Sequence, residues 1–280
     1  MVKGERNFNM KTTKIIAVVN QKGGVGKTTT AMNLGIGLSK NGYKTLLVDF
    51  DPQGDLTCCL GWKDSDSLNL TTSTLLMNTM NNKETDFNEL ILHHNEGVDL
   101  IPSNIDLAST EVNLIQAFTR ETILRNSLNQ IKNDYDYVII DCPPTLGLLT
   151  VNALSAATDV IIPVQTHYLS AKGMTRLIGS ISQVRNHVNP DLNIAGIFLT
   201  LYDARTNIAK STVEAVKEGF EKHVRIFNTI IPMDIKASES GIDGKSVYEY
   251  AKSSDVAAAY SKLTKEVINI AQKSKTELMR

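Results

Sequence analysis

The sequence predicts an α/β fold, a single domain built on a mostly parallel, twisted sheet with helices on both faces. Three observations carry that expectation. Short apolar runs of strand length alternate with longer stretches patterned at helical spacing. Several of the runs are apolar throughout, as strands buried on both faces require. A glycine-rich segment joins the first such run to the first helical stretch.

The elements follow in order. Ile15–Val19 is a continuous apolar strand, and residues 28–40 form a helix stopped by Asn41-Gly42. Lys44–Asp49 is a second strand and Val98–Pro102 a third, with helical patterns filling roughly 106–132. Tyr137–Asp141 is another buried strand, ended by Pro143-Pro144 and followed by a helix over 147–157. Val160–Val164 and Ile194–Leu199 continue the series, with a helix over 170–188 between them. A helix over 207–223, a strand Ile226–Ile231 and a final helix over 254–273 complete it. In the final helix Val256, Ala259, Tyr260, Leu263, Val267, Ile270 and Ala271 recur at spacings of three and four, a core-facing stripe. The Thr/Asn-rich stretch 62–96 is weakly patterned and reads as a surface excursion with short helices. Residues 1–13 read as a flexible N-terminal tail and 14–275 as one domain.

Bulk properties narrow the function. The 280 residues carry a formal net charge of −1, so binding to nucleic acid needs a local basic patch. Of the three cysteines, Cys58 and Cys59 are adjacent and Cys142 stands alone, a pattern that fits neither a disulfide framework nor paired metal ligands. A reduced, cytoplasmic setting is expected. No apolar run approaches the roughly 18 residues of a membrane span, and the polar N-terminus lacks a signal-peptide core.

The chemistry lies in Gln21-Lys22-Gly23-Gly24-Val25-Gly26-Lys27-Thr28, set between strand and helix. Backbone N–H groups of such a turn meet phosphate oxygens, and the helix N-terminus adds partial positive charge. Lys27 is placed to reach β and γ phosphates and Thr28 to ligate Mg²⁺. Gly23, Gly24 and Gly26 keep the chain slim where a ligand approaches. Val25 and Thr29 complete the nucleotide-binding stretch. The usual pattern begins with glycine; here Gln21 stands there, and Lys22 adds a second lysine. The fold class is therefore that of the P-loop NTPases. Asp49, Asp51 and Asp141 follow apolar runs and should emerge at the carboxyl edge of the sheet. Asp141 would hold the metal's water shell, Asp51 would orient the attacking water, and Asp49 would assist the metal. An aspartate at a strand end can instead cap the next helix.

Lys22–Thr29, Asp49-Phe50-Asp51-Pro52-Gln53-Gly54, Tyr137–Pro144 and Leu201-Tyr202-Asp203-Ala204-Arg205-Thr206 together resemble the deviant-Walker ATPases, and more narrowly the ParA/Soj partition proteins, over roughly residues 14–270. The resemblance implies an ATP-driven switch. ATP closes a homodimer face to face, and Lys22 crosses to the partner's phosphates as a catalytic cation. The dimer binds DNA without sequence preference, placing the protein on the nucleoid. A ParB-type partner stimulates hydrolysis and so drives plasmid or chromosome segregation. Arg205 matches a family DNA-binding arginine, Lys236 stands where an arginine is usual, and Lys210 and Lys245 are further candidates. Pro232 and Asp234 match adenine neighbours. Met233 and Ser238-Glu239-Ser240-Gly241 depart from the pattern. Without an N-K-x-D signature, ATP is preferred over GTP. Rival readings are a relative that positions other cargo, a MinD-like membrane-cycling ATPase, for which the end Gln272–Arg280 is too polar, and an iron–sulfur reductase, for which the cysteines are misplaced. No helix-turn-helix extension precedes the domain, so operator-specific autorepression is not expected.

Overall fold

The computed structural model describes residues 13–166 and 171–278. The chain runs β1 (Lys14–Val18), α1 (Lys27–Lys40), β2 (Thr45–Asp49), α2 (Asp55–Cys59), α3 (Thr72–Met80) and α4 (Phe87–Leu90). It continues with β3 (Leu92–His93), β4 (Asp99–Ile101), α5 (Asp106–Leu114), α6 (Ile123–Leu128), β5 (Tyr137–Asp141) and α7 (Leu148–Ala156). Then come β6 (Asp159–Gln165), α8 (Ala171–His187), β7 (Asn193–Tyr202), α9 (Asn207–Phe220) and β8 (Ile226–Pro232). The last helices are α10 (Lys236–Ile242), α11 (Val247–Tyr250) and α12 (Asp255–Leu278).

Among the described residues the strands form one eight-stranded sheet in the order β3-β4-β2-β5-β1-β6-β7-β8. Every pairing is parallel except β3 with β4. β1 lies between β5 and β6, and the chain leaves it toward β2 on one side while later strands build outward on the other. That reversal makes the carboxyl end of β1 a topological switch point, where loops part and leave a crevice. Alternate residues of β1 serve opposite layers. Ile15 and Ala17 pack with α3, α6, α7 and α8 residues such as Leu75, Leu124, Leu154 and Leu177. Ile16 and Val18 pack with Leu34 and Ile36 of α1 and Tyr260 and Leu263 of α12. Each fully buried aliphatic side chain contributes roughly 1.5–3 kcal/mol.

The apolar stripe of α12 lies where its spacing placed it, with Val256, Ala259, Tyr260, Leu263 and Val267 buried. At the β8 edge the carboxylate of Glu266 accepts the N–H groups of Asn228 (2.9 Å) and Thr229 (2.8 Å). It thereby blunts an edge that could otherwise pair with another chain.

The helical patterns expected over roughly 106–132 form two helices, α5 and α6, parted by a turn in which Thr119 has φ 51°. The stretch 62–96 is not simply a surface excursion. α3 starts in a reciprocal capping box between Thr71 and Thr74 and drives Leu75 and Leu76 fully into the core. The same stretch ends by bracing α11, because Glu96 accepts the N–H of Ser246 at 2.8 Å. Its Thr/Asn-rich composition hides two leucines that carry the packing. The short elements α2, α10, α11 and β3 were not separately expected. Of the expected tail 1–13 only Thr13 falls within the described residues, and its hydroxyl donates to the carbonyls of Lys132 (2.8 Å) and Tyr135 (3.0 Å).

Leu75→Ala should lower the unfolding free energy by about 2–5 kcal/mol, whereas Asn69→Ala, on an exposed residue of the same stretch, should change it by no more than ~0.5 kcal/mol. Urea titration of both variants checks the buried role assigned to this segment.

Candidate functional site

The glycine-rich loop fills the crevice at the end of β1. Gly24 and Gly26 have φ of 70° and 84°, a region costly for residues with a Cβ. A Cβ at either would meet nothing within 4 Å, so the backbone angle imposes glycine and the space before the loop stays open. Side chains from distant strands pin the loop. Asn20 donates from Nδ2 to the Pro163 carbonyl at the end of β6 (2.7 Å) and accepts the Lys22 N–H at Oδ1 (3.0 Å). The Thr200 hydroxyl of β7 donates to the Val25 carbonyl (2.9 Å), and Gln21 Nε2 donates to the Gly173 carbonyl of α8 (2.7 Å). α1 then begins at Lys27 with no side-chain cap. Its first N–H groups, which no helix can pair internally, face the crevice with the positive end of the helix dipole.

Two charged groups lie buried beside this loop without a compensating partner. Lys27 is only 6% exposed. Its Nζ donates to the Lys22 carbonyl at 3.3 Å, and no carboxylate among the described residues pairs with it. Burial pushes its pKa down, opposed by Asp141, the Cys142 thiol, Asp51 and Asp55. Asp141 closes β5, in register with Val18 of β1 and Asp49 of β2. Both of its oxygens are buried and make no hydrogen bond. Burial, then the neighbouring Asp49, holds its carboxyl well above the usual range. The Thr28 hydroxyl and Lys27 oppose that shift, although the hydroxyl stops short of hydrogen-bond geometry.

The other two sequence-selected carboxylates differ from Asp141. Asp49 is fully enclosed. Its Oδ2 accepts the N–H (2.8 Å) and hydroxyl (2.7 Å) of Thr57, and its Oδ1 accepts the Asp51 N–H (3.3 Å). Burial nonetheless pushes its pKa up to about 7. These bonds tie Asp49 to Thr57 in the first turn of α2. Asp51 stands at the surface of the crevice, 9% exposed. Its Oδ1 accepts the Gln53 N–H (3.0 Å) and shapes the turn, leaving Oδ2 without a hydrogen bond among the described residues. The turn closes on Gly54, φ 65°, where a Cβ would meet the Ser103 carbonyl at 2.8 Å. Asp55, in the first turn of α2, is a carboxylate that the sequence analysis missed. Burial raises its pKa, followed by repulsion from Asp51, while Lys27 lowers it.

A magnesium ion takes hard oxygen donors, keeps several waters and needs few protein ligands. The unspent oxygens of Asp141 and the Thr28 hydroxyl fit such an ion. Among the described residues no cluster of three or more His, Cys, Asp and Glu side chains forms a cage for a metal. Cys142 is buried, and Cys58 and Cys59 are half-buried on α2.

Lys22 turns back onto its own chain, its Nζ 2.9 Å from Gln165 Oε1. Thr29 accepts a hydrogen bond from Asn33 Nδ2 at its carbonyl (2.8 Å). Past β7, Arg205 is exposed and forked onto Asp203 through Nε (2.9 Å) and one terminal nitrogen (2.8 Å). The Met233 N–H donates to the Tyr202 carbonyl (2.9 Å), bringing the segment of Pro232, Asp234 and Lys236 beside that of Arg205. Asp234 Oδ1 accepts the Lys236 N–H (3.0 Å). Lys210 is exposed one turn into α9. Lys245 is also exposed, but on a separate loop, where the Gly244 carbonyl meets His94 Nε2 at 3.2 Å.

An AAA domain family model matches residues 13–194. The chain is 42% identical to the sporulation initiation inhibitor protein Soj of Bacillus subtilis, over 91% of this chain and 98% of that protein. It is 41% identical to the chromosome-partitioning ATPase Soj of Treponema pallidum, over 91% and 97%. A cobyrinic acid a,c-diamide synthase of Mycobacterium smegmatis, solved with an ATP analogue and magnesium, superposes with a TM-score of 0.82 at 35% identity, covering 94% of this chain and 97% of that one.

Thr200→Val removes one pin of the loop without changing its volume. It should raise the Kd for Mg-ATP roughly 2–10-fold, read by calorimetry on protein whose circular dichroism is unaltered.

Proposed function

The chain belongs to the ParA/Soj family of chromosome-partitioning ATPases, and from that premise we propose that it is a switch that pairs on ATP, binds DNA non-specifically and resets when a ParB-type partner triggers hydrolysis. The observation that carries the reading is Asp141. A carboxylate with both oxygens buried and unbonded, beside Thr28 and Lys27, is costly unless something outside the chain meets it.

Lys27 and the first N–H groups of α1 hold the β and γ phosphates, and Pro232 and Asp234 flank the adenine. Thr28 and Asp141 would hold the magnesium ion, which would supply positive charge to offset that of the triphosphate. Asp51 accepts a hydrogen bond from the attacking water and aims it at the γ phosphorus. Attack forms the new P–O bond as the bond to the β–γ bridging oxygen breaks, and ADP carries away the released charge. Lys22 of each subunit reaches the phosphates of the other and neutralises part of that charge, as an arginine finger does. Two-fold pairing doubles whatever basic surface one subunit presents. Arg205, with Lys236 and Lys210 nearby, supplies that surface, and Lys245 extends it from a second loop. Phosphate contacts of this kind are sequence-blind and salt-sensitive, and they place the paired form on the nucleoid.

Sizing the protein with ATP, ADP or no nucleotide, with and without random duplex DNA, tests the reading. Pairing with ATP alone, and DNA retention by the paired form, are expected; a monomer under every condition refutes it. Lys27→Ala should give no heat on titration with Mg-ATP. Asp51→Ala should still pair on ATP while phosphate release falls about 100-fold or more; unchanged turnover removes Asp51 from the reaction. Arg205→Glu should lose affinity for random duplex and keep nucleotide turnover, and wild-type retention on DNA at low salt places the patch elsewhere.

A further inference from the structure

Lys22 is fixed at its backbone and movable only at its head. Its N–H donates to Asn20 Oδ1 (3.0 Å) and its carbonyl accepts Lys27 Nζ (3.3 Å), while Asn20 itself is tied to β6 through the Pro163 carbonyl (2.7 Å). The ammonium folds back to the same strand, 2.9 Å from Gln165 Oε1. Gln165 is the last residue of β6, held in register with Thr200, the residue that pins Val25. Both ends of the contact are thus set by the sheet. A lysine in this position cannot serve a second subunit until it leaves Gln165.

We propose that Gln165 is a positioning residue whose amide oxygen parks the Lys22 ammonium in the lone subunit and sets the protein concentration at which ATP-dependent pairing occurs. This rests on the reading of Lys22 as a cation that acts across the dimer. The chemistry of the acceptor suits the task. A neutral amide holds an ammonium firmly enough to orient it and releases it to a more highly charged triphosphate. A carboxylate in the same place would hold it longer; an apolar side chain would remove this hold.

Two near-isosteric variants separate this role from general packing. Gln165→Glu should raise the midpoint concentration for pairing with Mg-ATP, and Gln165→Met should lower it, each by roughly 3–10-fold, in analytical ultracentrifugation. Trace acetylation of nucleotide-free protein, quantified at Lys22 by mass spectrometry, should be faster in Gln165→Met and slower in Gln165→Glu. Both pairing shifts should vanish when Lys22→Ala is added. Unchanged acetylation of Lys22 in both variants overturns the parking role, as does movement of the midpoint in one direction by both. If acetylation shifts as expected but Lys22→Ala alone pairs and hydrolyses like the wild type, the premise of a trans-acting lysine fails, and the pairing threshold fails with it.

Discussion

The structure depends on keeping two opposite charges buried near one another without letting them pair. Lys27 and Asp141 each influence the other's ionisation, yet the lysine donates to a backbone carbonyl and the aspartate to or from nothing. Were they in contact they would neutralise each other, and the crevice would have little reason to admit a triphosphate and its metal. Held apart, each lacks part of what it gave up on leaving water, a cost of several kcal/mol per buried ion. The rest of the fold must supply that stability. It does so through a sheet whose central strands are packed on both faces and through loop pins that span much of the chain.

Those pins explain how the separation is maintained. The phosphate loop is fixed less by its own residues than by Pro163, Gly173 and Thr200, more than 140 positions away in sequence. β6 contributes the acceptor for Asn20 and the acceptor for Lys22. β7 contributes the donor to Val25, and its far end leads into the Arg205 segment. One edge of one sheet therefore positions the nucleotide loop, the resting place of Lys22 and the candidate DNA surface.

Which parts of this were legible in the sequence follows from the range of the forces involved. The loop announces itself because φ above zero at Gly24 and Gly26 is a local demand, and the strands do so because two-sided burial leaves no polar position. Asp49, Asp51 and Asp141 look alike as letters, each after an apolar run. Their partners in the fold separate them: Thr57 takes Asp49, Gln53 takes one oxygen of Asp51, and nothing takes Asp141. Asn20, Gln165 and Thr200 carried no local signal, since an amide or hydroxyl at a strand end gains meaning only from a partner across the sheet. α3 was obscured for the opposite reason, its two core leucines set among threonines and asparagines whose hydroxyls and amides satisfy the local backbone.

Three of the cations assigned to phosphates, Lys27, Lys22 and Arg205, are held in this structure by acceptors of their own chain, and the acceptors differ in kind. Lys27 has a backbone carbonyl, Lys22 a side-chain amide, Arg205 a bidentate carboxylate. Burial runs the other way, with Lys27 6% exposed and the Arg205 side chain 89% exposed. Water and salt screen an exposed ion pair more than a buried one, even where the pair is bidentate; a buried ammonium on a carbonyl keeps most of its unmet demand. The weakest acceptor therefore sits where the appetite for an anion is greatest. Nucleotide is then the first ligand the chain should take, and on the proposed reading the exposed arginine exchanges Asp203 for a DNA phosphate once pairing has doubled the surface. In such a switch the order of events would be set by desolvation, from the buried loop outward.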